Sequence, residues 1–459
     1  MIEDFDAIVI GAGQSGPFLA ARLAENGQTV ALIEREHLGG TCVNDGCTPT
    51  KTLIASARAA WMARRSQEYG VRIDGSISVD MKAIKARKDA VVSTSVRNLS
   101  DWLAGHETLE YIRGQARFVA PKEVSVGGRT LRSAQIFINT GASATIPNWP
   151  GIADVPYLTN STMMEIEAVP DHLVIAGASY VGLEFAQMYA RFGANVTVIE
   201  RGGRPAPRED DDISRAIRSI LEDDGVTFLL ESSIEAVARS ERGVRISFKR
   251  NERDDSIEGS HLLIALGRSP NSSDLDLGRT GLETDSHGYI PVDDHLRTSV
   301  PGIWAIGDIN GRGGFTHTSY NDYEIVADNL IDHGNRSISD RIPVYGLFID
   351  PPLGRVGLTE AEVRQSGRDA MIATYPMARV ARAHERGETQ GLMKVIVDTH
   401  SRTILGAAIL GIEGDEVVHS VLQLMATSTP YEKMMHTVHI HPTVSELIPT
   451  MLGDLKRLE

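Results

Sequence analysis

The sequence predicts an α/β chain with two Rossmann-like dinucleotide-binding domains followed by a third, α+β domain. Three observations carry this. A glycine-rich turn joins strand to helix near the N-terminus, the same pattern recurs after residue 172, and the pattern changes from about residue 340. With 459 residues the chain is too long for one hydrophobic core. Its 42% hydrophobic and 23% charged residues are an ordinary globular balance.

In the first unit, "DAIVIGAGQSG" runs a short apolar strand into Gly11, Gly13 and Gly16, a helical segment follows, and a second strand, "TVALIE", ends on Glu34. One glycine makes the turn, one lets the backbone approach a pyrophosphate, and one lets helix pack on strand. The helix N-terminus faces the phosphates and the acid takes the ribose hydroxyls. The second unit, "LVIAGASYVGLEFAQMYARFGANVTVIE", repeats the design. Gly177 and Gly182 match the first and third glycines, Ser179 stands at the second, and Glu200 follows at the interval that separates Glu34 from Gly11. A plain βαβ unit would share the pattern, but the repeated spacing favours two dinucleotide sites.

Two further strand-like segments, "IFINTGASATIP" and "HLLIALGRSPN" (which contains Gly267), return the chain from one domain to another. "GIWAIGDING" is a buried strand ending at Asp308, an acid placed to reach a second part of the first cofactor, such as its ribityl chain. Beyond 340, "VYGLFIDPPLGRVGLT", "GLMKVIVD" and "TILGAAILG" read as antiparallel strands, with helices at 358–367 and 415–427 and no nucleotide signal.

Both cysteines of the chain lie in "GGTCVNDGCTPTK", a few residues beyond the first dinucleotide strand. Two buried small hydrophobes are the plain reading of Cys42 and Cys47. A reactive pair is the sharper one, because a cytosolic pair is more often catalytic, redox-sensing or metal-binding than structural. Zinc needs more ligands than the neighbouring His37 offers. Gly39 and Gly40 would let the backbone, with Thr41, approach the first cofactor. "CTPTKTLIASARAAWMARR" reads as a helix whose N-terminus favours a thiolate on Cys47. Lys51, one turn on, is either an exposed helical lysine or a charge at a flavin edge. Nicotinamide, flavin and a thiol pair together form an electron relay. Such a relay needs an acid–base near neutral pKa, and "HTVHIHPTVSELIP" offers His441 with Glu446 five residues on. His436 and His439 alternate with it, which also fits a polar strand face.

These motifs resemble those of the flavoprotein disulfide reductases, the family of lipoamide dehydrogenase, glutathione reductase and mercuric reductase. The resemblance spans nearly the whole chain. It implies an FAD domain over 1–145 completed by 266–338, an inserted NAD(P) domain over 146–265, and a dimerisation domain over 339–459. It further implies a homodimer in which the histidine of one subunit completes the site over the cysteines of the other. By this resemblance Cys42 is the thiol that attacks substrate, Cys47 the thiolate against the flavin, and His441, paired with Glu446, the acid–base. Lys51 pairs with Glu184, Tyr180 covers the nicotinamide pocket, and Glu34, Ala116, Thr140, Gly141, Asp308 and Thr316 contact FAD. Thr48 stands where the family usually has Ile or Val, and His317 where mercuric reductase has tyrosine. The C-terminal cysteine pair of mercuric reductase is missing from "LIPTMLGDLKRLE".

The expected activity is an FAD-dependent NAD(P)H:disulfide oxidoreductase acting on a small disulfide. The alternatives are dihydrolipoamide dehydrogenase, a mercuric or copper reductase at the same dithiol, a non-enzymatic redox sensor, and a flavin NADH oxidase. Glu200 favours the free ribose hydroxyl of NADH, while Arg201, Arg204 and Arg208 suit the 2′-phosphate of NADPH; the acid tips the balance to NADH. A net charge of -15 argues against nucleic acid or an anionic membrane as partner. No apolar run reaches the roughly 18 residues of a membrane span. The acidic N-terminus "MIEDFDAIVIGAG" is no signal peptide, so a cytoplasmic protein is expected.

Overall fold

The computed structural model describes residues 1–459. Strand β1 (Ala7–Ile10) enters the first glycine turn, then helix α1 (Gly16–Glu25) and β2 (Val30–Glu34) follow. A helical turn at Gly40–Asn44 leads into α2 (Cys47–Arg64), α3 (Met81–Ala104), β3 (Leu109–Arg113) and β4 (Gln135–Ile138). The second unit contains β5 (His172–Ala176), α4 (Tyr180–Phe192), β6 (Asn195–Ile199), α5 (Asp211–Asp223), β7 (Val226–Leu229) and β8 (His261–Ile264). The chain returns through β9 (Ile303–Ala305) and α6 (Thr316–Leu330). It ends in β10 (Val344–Leu347), β11 (Leu353–Gly357), α7 (Glu360–Ser366), β12 (Ala370–Pro376), β13 (Leu392–Asp398), β14 (Ile404–Leu410), α8 (Gly414–Ala426) and β15 (Lys456–Arg457).

The first sheet has the order β9-β4-β1-β2-β3 and is parallel throughout. Its strand β9 pairs Ile303 with Ile136, so the whole second unit is inserted between two neighbouring strands. The second parallel sheet has the order β7-β6-β5-β8. Continuous apolar runs form these strands because both sheet faces are covered; β1 is buried at every residue. Where the chain leaves and re-enters the first domain, Ala142–Ala144 pairs with Arg268–Pro270. The C-terminal sheet is antiparallel, in the order β10-β11-β14-β13-β12-β15.

Two sheets are additional to those expected from the sequence. Ile2–Asp4 joins Arg117–Ala120, Glu123–Val126 and Arg129–Arg132 in one sheet, pairing in parallel with Arg129–Arg132. A meander fills Ser232–Ser240, Gly243–Arg250 and Arg253–Gly259. The first is built of strands of three or four residues, too short for a pattern to show, whereas in the second Val244, Ile246 and Phe248 do alternate with Arg245, Ser247 and Lys249. The polar strand face considered for His436 and His439 is not formed, because residues 438–440 belong to no strand.

Each unit has a core of its own, and one further cluster crosses between them. That cluster joins Leu173, Phe185 and Ile217 of the second unit to Leu53 and Ala57 of α2 and to Leu347, Leu353 and Leu410 of the C-terminal domain. The cysteine helix is therefore gripped by all three domains.

Candidate active site

The thiol segment is laid directly on the first glycine turn. The Gly39 N–H donates to Ala12 O (2.9 Å), and a Cβ on Gly40 would lie 2.8 Å from Gly13 Cα. Gly39 and Gly40 both take left-handed backbone, which a side chain resists. Cys42 sits half-buried in the turn that follows, and Cys47 is the first residue of α2.

Both cysteines are free thiols, and they are unlike. A hydrogen bond from Cys42, then one from Thr316 and the charge of Lys51, outweigh burial and push the Cys47 thiol down to about 6. Cys42 keeps its proton beside that thiolate and is pushed far up, first by this hydrogen bond and then by burial. Thr316 Oγ1 lies 3.3 Å from Cys47 Sγ. Lys51 Nζ meets Glu184 Oε2 at 2.9 Å and lies 4.3 Å above the Phe348 ring. Glu184 is 7% exposed, and its other oxygen accepts the Phe348 N–H at 3.0 Å. Lys51 is thus no free surface lysine, for Glu184 of the second unit and Phe348 of the third hold its charge one turn from Cys47.

A cavity of about 570 Å³ opens beside this segment. Gly11, Gly13, Glu34, Gly40, Thr41, Ala116, Thr140 and Gly141 line it. Gly16 does not, because it packs helix on turn; a Cβ there would lie 2.1 Å from Gly11 O. Asp308 and Gly267 lie outside the lining. Asp308 is paired with Arg268 at 3.6 Å, and burial raises its carboxyl despite that charge. Gly267 holds a left-handed backbone in open space. Arg268, in "GRSPN", is a lining residue that pattern reading passed over; its position straight after Gly267 was the available signal. Its Nε is buried, makes no hydrogen bond and faces the Asp308 carboxylate at 3.6 Å. The close backbone approach at Gly13 and Gly40, which a side chain would fill, fits a bound dinucleotide.

The two nucleotide turns match bond for bond. Glu34 accepts the N–H of Ala12 (2.8 Å) and of Glu36 (2.7 Å); Glu200 accepts those of Ala178 (2.9 Å) and Gly202 (2.7 Å). Each acid fastens its own glycine turn. Gly177 and Gly182 are in close backbone contact, and Ser179 precedes α4, which Tyr180 opens with its hydroxyl on Glu209. Arg204 pairs with Asp211, while Arg201 and Arg208 are exposed and make no ion pair. His317 stacks on Phe315 and bonds Val344 O at 2.6 Å; burial lowers its pKa.

His441 Nδ1 lies 2.9 Å from Glu446 Oε2, and its side chain is 76% exposed. Glu446 also accepts the Thr443 N–H at 3.2 Å. No hydrogen bond or ion pair joins His441 to the thiols of its own chain.

A family model described as pyridine nucleotide-disulphide oxidoreductase matches residues 5–322, and the model of that family's dimerisation domain matches 344–452. The probable pyridine nucleotide-disulfide oxidoreductase RclA of Escherichia coli (strain K12) is 35% identical over 463 residues, covering 99% of this chain and 100% of that protein. The mercuric reductase of Streptomyces lividans is 33% identical over 464 residues, with 99% and 98% covered. Among solved structures, the Cu(II) complex of the HOCl-induced flavoprotein disulfide reductase RclA from Escherichia coli superimposes with a TM-score of 0.89 at 35% identity, covering 98% of this chain and 100% of that one.

Proposed function

This chain belongs to the pyridine nucleotide-disulphide oxidoreductases, a flavin- and pyridine-nucleotide-dependent enzyme family, and from that premise we propose that Cys42 and Cys47 are its working dithiol, reduced through FAD by NADH and oxidised by a small disulfide. The placing of both thiols on the first glycine turn, with Thr316 against Cys47 and the Lys51–Glu184 pair one turn on, carries this reading. Residues 1–145 and 266–338 hold FAD, 146–265 hold the nicotinamide coenzyme, and 339–459 form the dimer. No helix is long and apolar enough to cross a membrane; the compartment of this reading is the cytoplasm.

FAD, held along the cavity lined by Gly11, Gly13, Gly40 and Thr41, would supply the two-electron path between nicotinamide and the cysteine disulfide. The chain's own residues do the rest. Thr316 and Lys51 stabilise the thiolate of Cys47, and Glu184 keeps Lys51 in place. Cys42 loses its proton to the partner subunit's His441 and attacks a substrate sulfur. A mixed disulfide forms and one thiolate leaves, protonated by that histidine. The Cys47 thiolate then attacks Cys42, expelling the second substrate sulfur as a thiolate that takes a proton from solvent, so a thiol, a thiolate and a substrate disulfide become an enzyme disulfide and, with that proton, two thiols. Glu446 orients the imidazole and stabilises its charged form. NADH is the coenzyme of this reading, since Glu200 stands at the strand end and Arg204 is engaged by Asp211.

A second reading, reduction of Cu(II) at the same thiols, draws on the similarity to a protein solved with Cu(II) bound. Rapid mixing separates the two. Enzyme reduced anaerobically with NADH, and in parallel with NADPH, is mixed with lipoamide, glutathione disulfide, Hg(II) or Cu(II). Reoxidation by at least one disulfide is expected, with loss of that phase in Cys42→Ser. If only the metal ions reoxidise the enzyme, the disulfide reading falls and the metal reading stands.

A further inference from the structure

Glu209 is a buried carboxylate with no part in the thiol chemistry. Its side chain is 0% exposed. Oε1 accepts the hydroxyls of Tyr180 (2.7 Å) and Tyr345 (2.8 Å). Oε2 is buried with no hydrogen bond, 3.8 Å from the Arg355 guanidinium. That guanidinium is itself engaged by Asp210, which accepts both its terminal nitrogens at 3.1 Å. Two phenols from different domains therefore converge on a single oxygen of a carboxylate whose cation is shared with a neighbour.

The placement is specific. The Glu209 N–H donates to Ala206 O (2.9 Å), and the Ala206 N–H to Ala178 O (2.8 Å), so Glu209 is tied beside the second glycine turn. Tyr180 and Glu184 lie four residues apart on α4 and share one face. Glu184 holds Lys51, one turn beyond Cys47, so Tyr180 is on the side of α4 that looks toward the thiols. Tyr345 comes from the C-terminal domain, packs 5.6 Å from the Tyr180 ring, and stacks at 5.5 Å on Phe315, the residue before Thr316.

We propose that Glu209 is the positioning residue of Tyr180, holding its phenol closed over the nicotinamide pocket, and that Tyr345 is the reserve donor that keeps the carboxylate satisfied while Tyr180 swings away. This rests on the reading of Tyr180 as the residue that covers that pocket. A buried carboxylate oxygen stripped of every donor is strongly unfavourable. With Tyr345 in reserve, opening breaks one hydrogen bond and strands nothing. Without it, opening leaves Oε1 bare. The two phenols therefore act in opposite directions on the same equilibrium, although they touch the same atom.

The test compares two ligands on the FAD-loaded enzyme by calorimetry. NAD⁺ must displace Tyr180; ADP-ribose, which lacks nicotinamide, need not. If the phosphorylated coenzyme binds more tightly, NADP⁺ and 2′-phospho-ADP-ribose replace them. Glu209→Gln should tighten NAD⁺ relative to ADP-ribose by about 5- to 30-fold, the range of one charge-assisted hydrogen bond partly replaced. Tyr180→Phe should act in the same direction, and the double variant should add nothing. Tyr345→Phe should weaken NAD⁺ relative to ADP-ribose by roughly 3- to 10-fold. General damage to the fold would move both ligands together. An unchanged ratio in Tyr180→Phe overturns the reading of Tyr180, and the proposal with it. If Tyr180→Phe tightens NAD⁺ but Glu209→Gln does not, or if Tyr345→Phe shifts the ratio the same way, the latch is overturned while the role of Tyr180 stands. Should Glu209→Gln fail to fold, Tyr345→Phe, which removes one oxygen atom, decides the matter by its sign.

Discussion

Cys42 and Cys47 are chemically identical side chains that surroundings make different. Cys47 begins a helix, receives hydrogen bonds from Cys42 and Thr316, and has the Lys51 charge one turn away; Cys42 has burial and a neighbouring thiolate. A thiol pushed down to about 6 is mostly thiolate at pH 7 and is protonated as the pH falls through that value. In Cys42→Ser the flavin-loaded enzyme should show a broad long-wavelength absorbance shoulder from the Cys47 thiolate, still favoured by Thr316 and Lys51, that fades on acidification as the thiolate is protonated. Cys47→Ser should show no shoulder at any pH, while its Cys42 still reacts with a small alkylating agent. A shoulder in Cys47→Ser and none in Cys42→Ser would reverse the two assignments.

At the scale of elements, helix α2 matters because it carries Cys47 and Lys51, and its far end is clamped. Asp350, 7% exposed, is met by Arg58 of α2 and by Arg191 of α4. The amide of Gln187 donates to Asp350 O at 2.7 Å, and the Asp350 N–H donates back to Gln187 Oε1 at 2.7 Å. Arg58 also meets Glu388 (2.7 Å) and Arg191 meets Asp224 (2.8 Å). The Arg58, Arg65 and Arg191 guanidiniums lie around the Trp61 ring. One aspartate thus fixes the angle between α2, α4 and the start of the C-terminal sheet. Breaking a buried pair by removing one partner costs about 3–5 kcal/mol, because the other charge stays buried. Asp350→Ala should lose stability on that scale in denaturant unfolding. The Cys47 midpoint, read in the Cys42→Ser background, should fall, because Glu184, whose charge raises it, moves away while Lys51 stays on the same helix as Cys47. A loss under about 1 kcal/mol with the midpoint unmoved would show that the clamp does not position α2.

At the scale of the molecule, the catalytic candidates do not meet within one chain. His441 is three-quarters exposed, and beside it Val438 (96% exposed) and Ile440 (79%) face outward from the domain that matches the family's dimerisation model. Apolar residues this exposed beside a histidine already oriented by Glu446 mark a surface built to be covered. With a shared site, a Cys42→Ser subunit and a His441→Ala subunit complement each other. Random reassortment makes about half the dimers mixed, each with one intact site, so roughly a quarter of wild-type turnover should return. Mixed dimers shown to form without any recovery would place His441 over the thiols of its own chain.

The sequence by itself determined the fold class, the two nucleotide turns and the thiol segment, because each is written in residues close together along the chain. Gly11 with Glu34, Gly177 with Glu200, and Cys42 with Cys47 and Lys51 need only local spacing to be read, since strand alternation and helical periodicity act over a few turns. The tertiary structure alone decided what those residues touch. Arg268 standing at the cavity wall, Tyr180 and Tyr345 meeting on Glu209, and Asp350 joining Arg58 to Arg191 all pair residues more than 25 positions apart in the chain. Even the strand Ile2–Asp4 gains its identity only from the edge that Arg129–Arg132 presents to it. A buried charge has no local signature: whether it is a clamp, a latch or an error depends on which counter-charges the packed domains bring within about 4 Å, and that distance is fixed by the joint packing of all three domains.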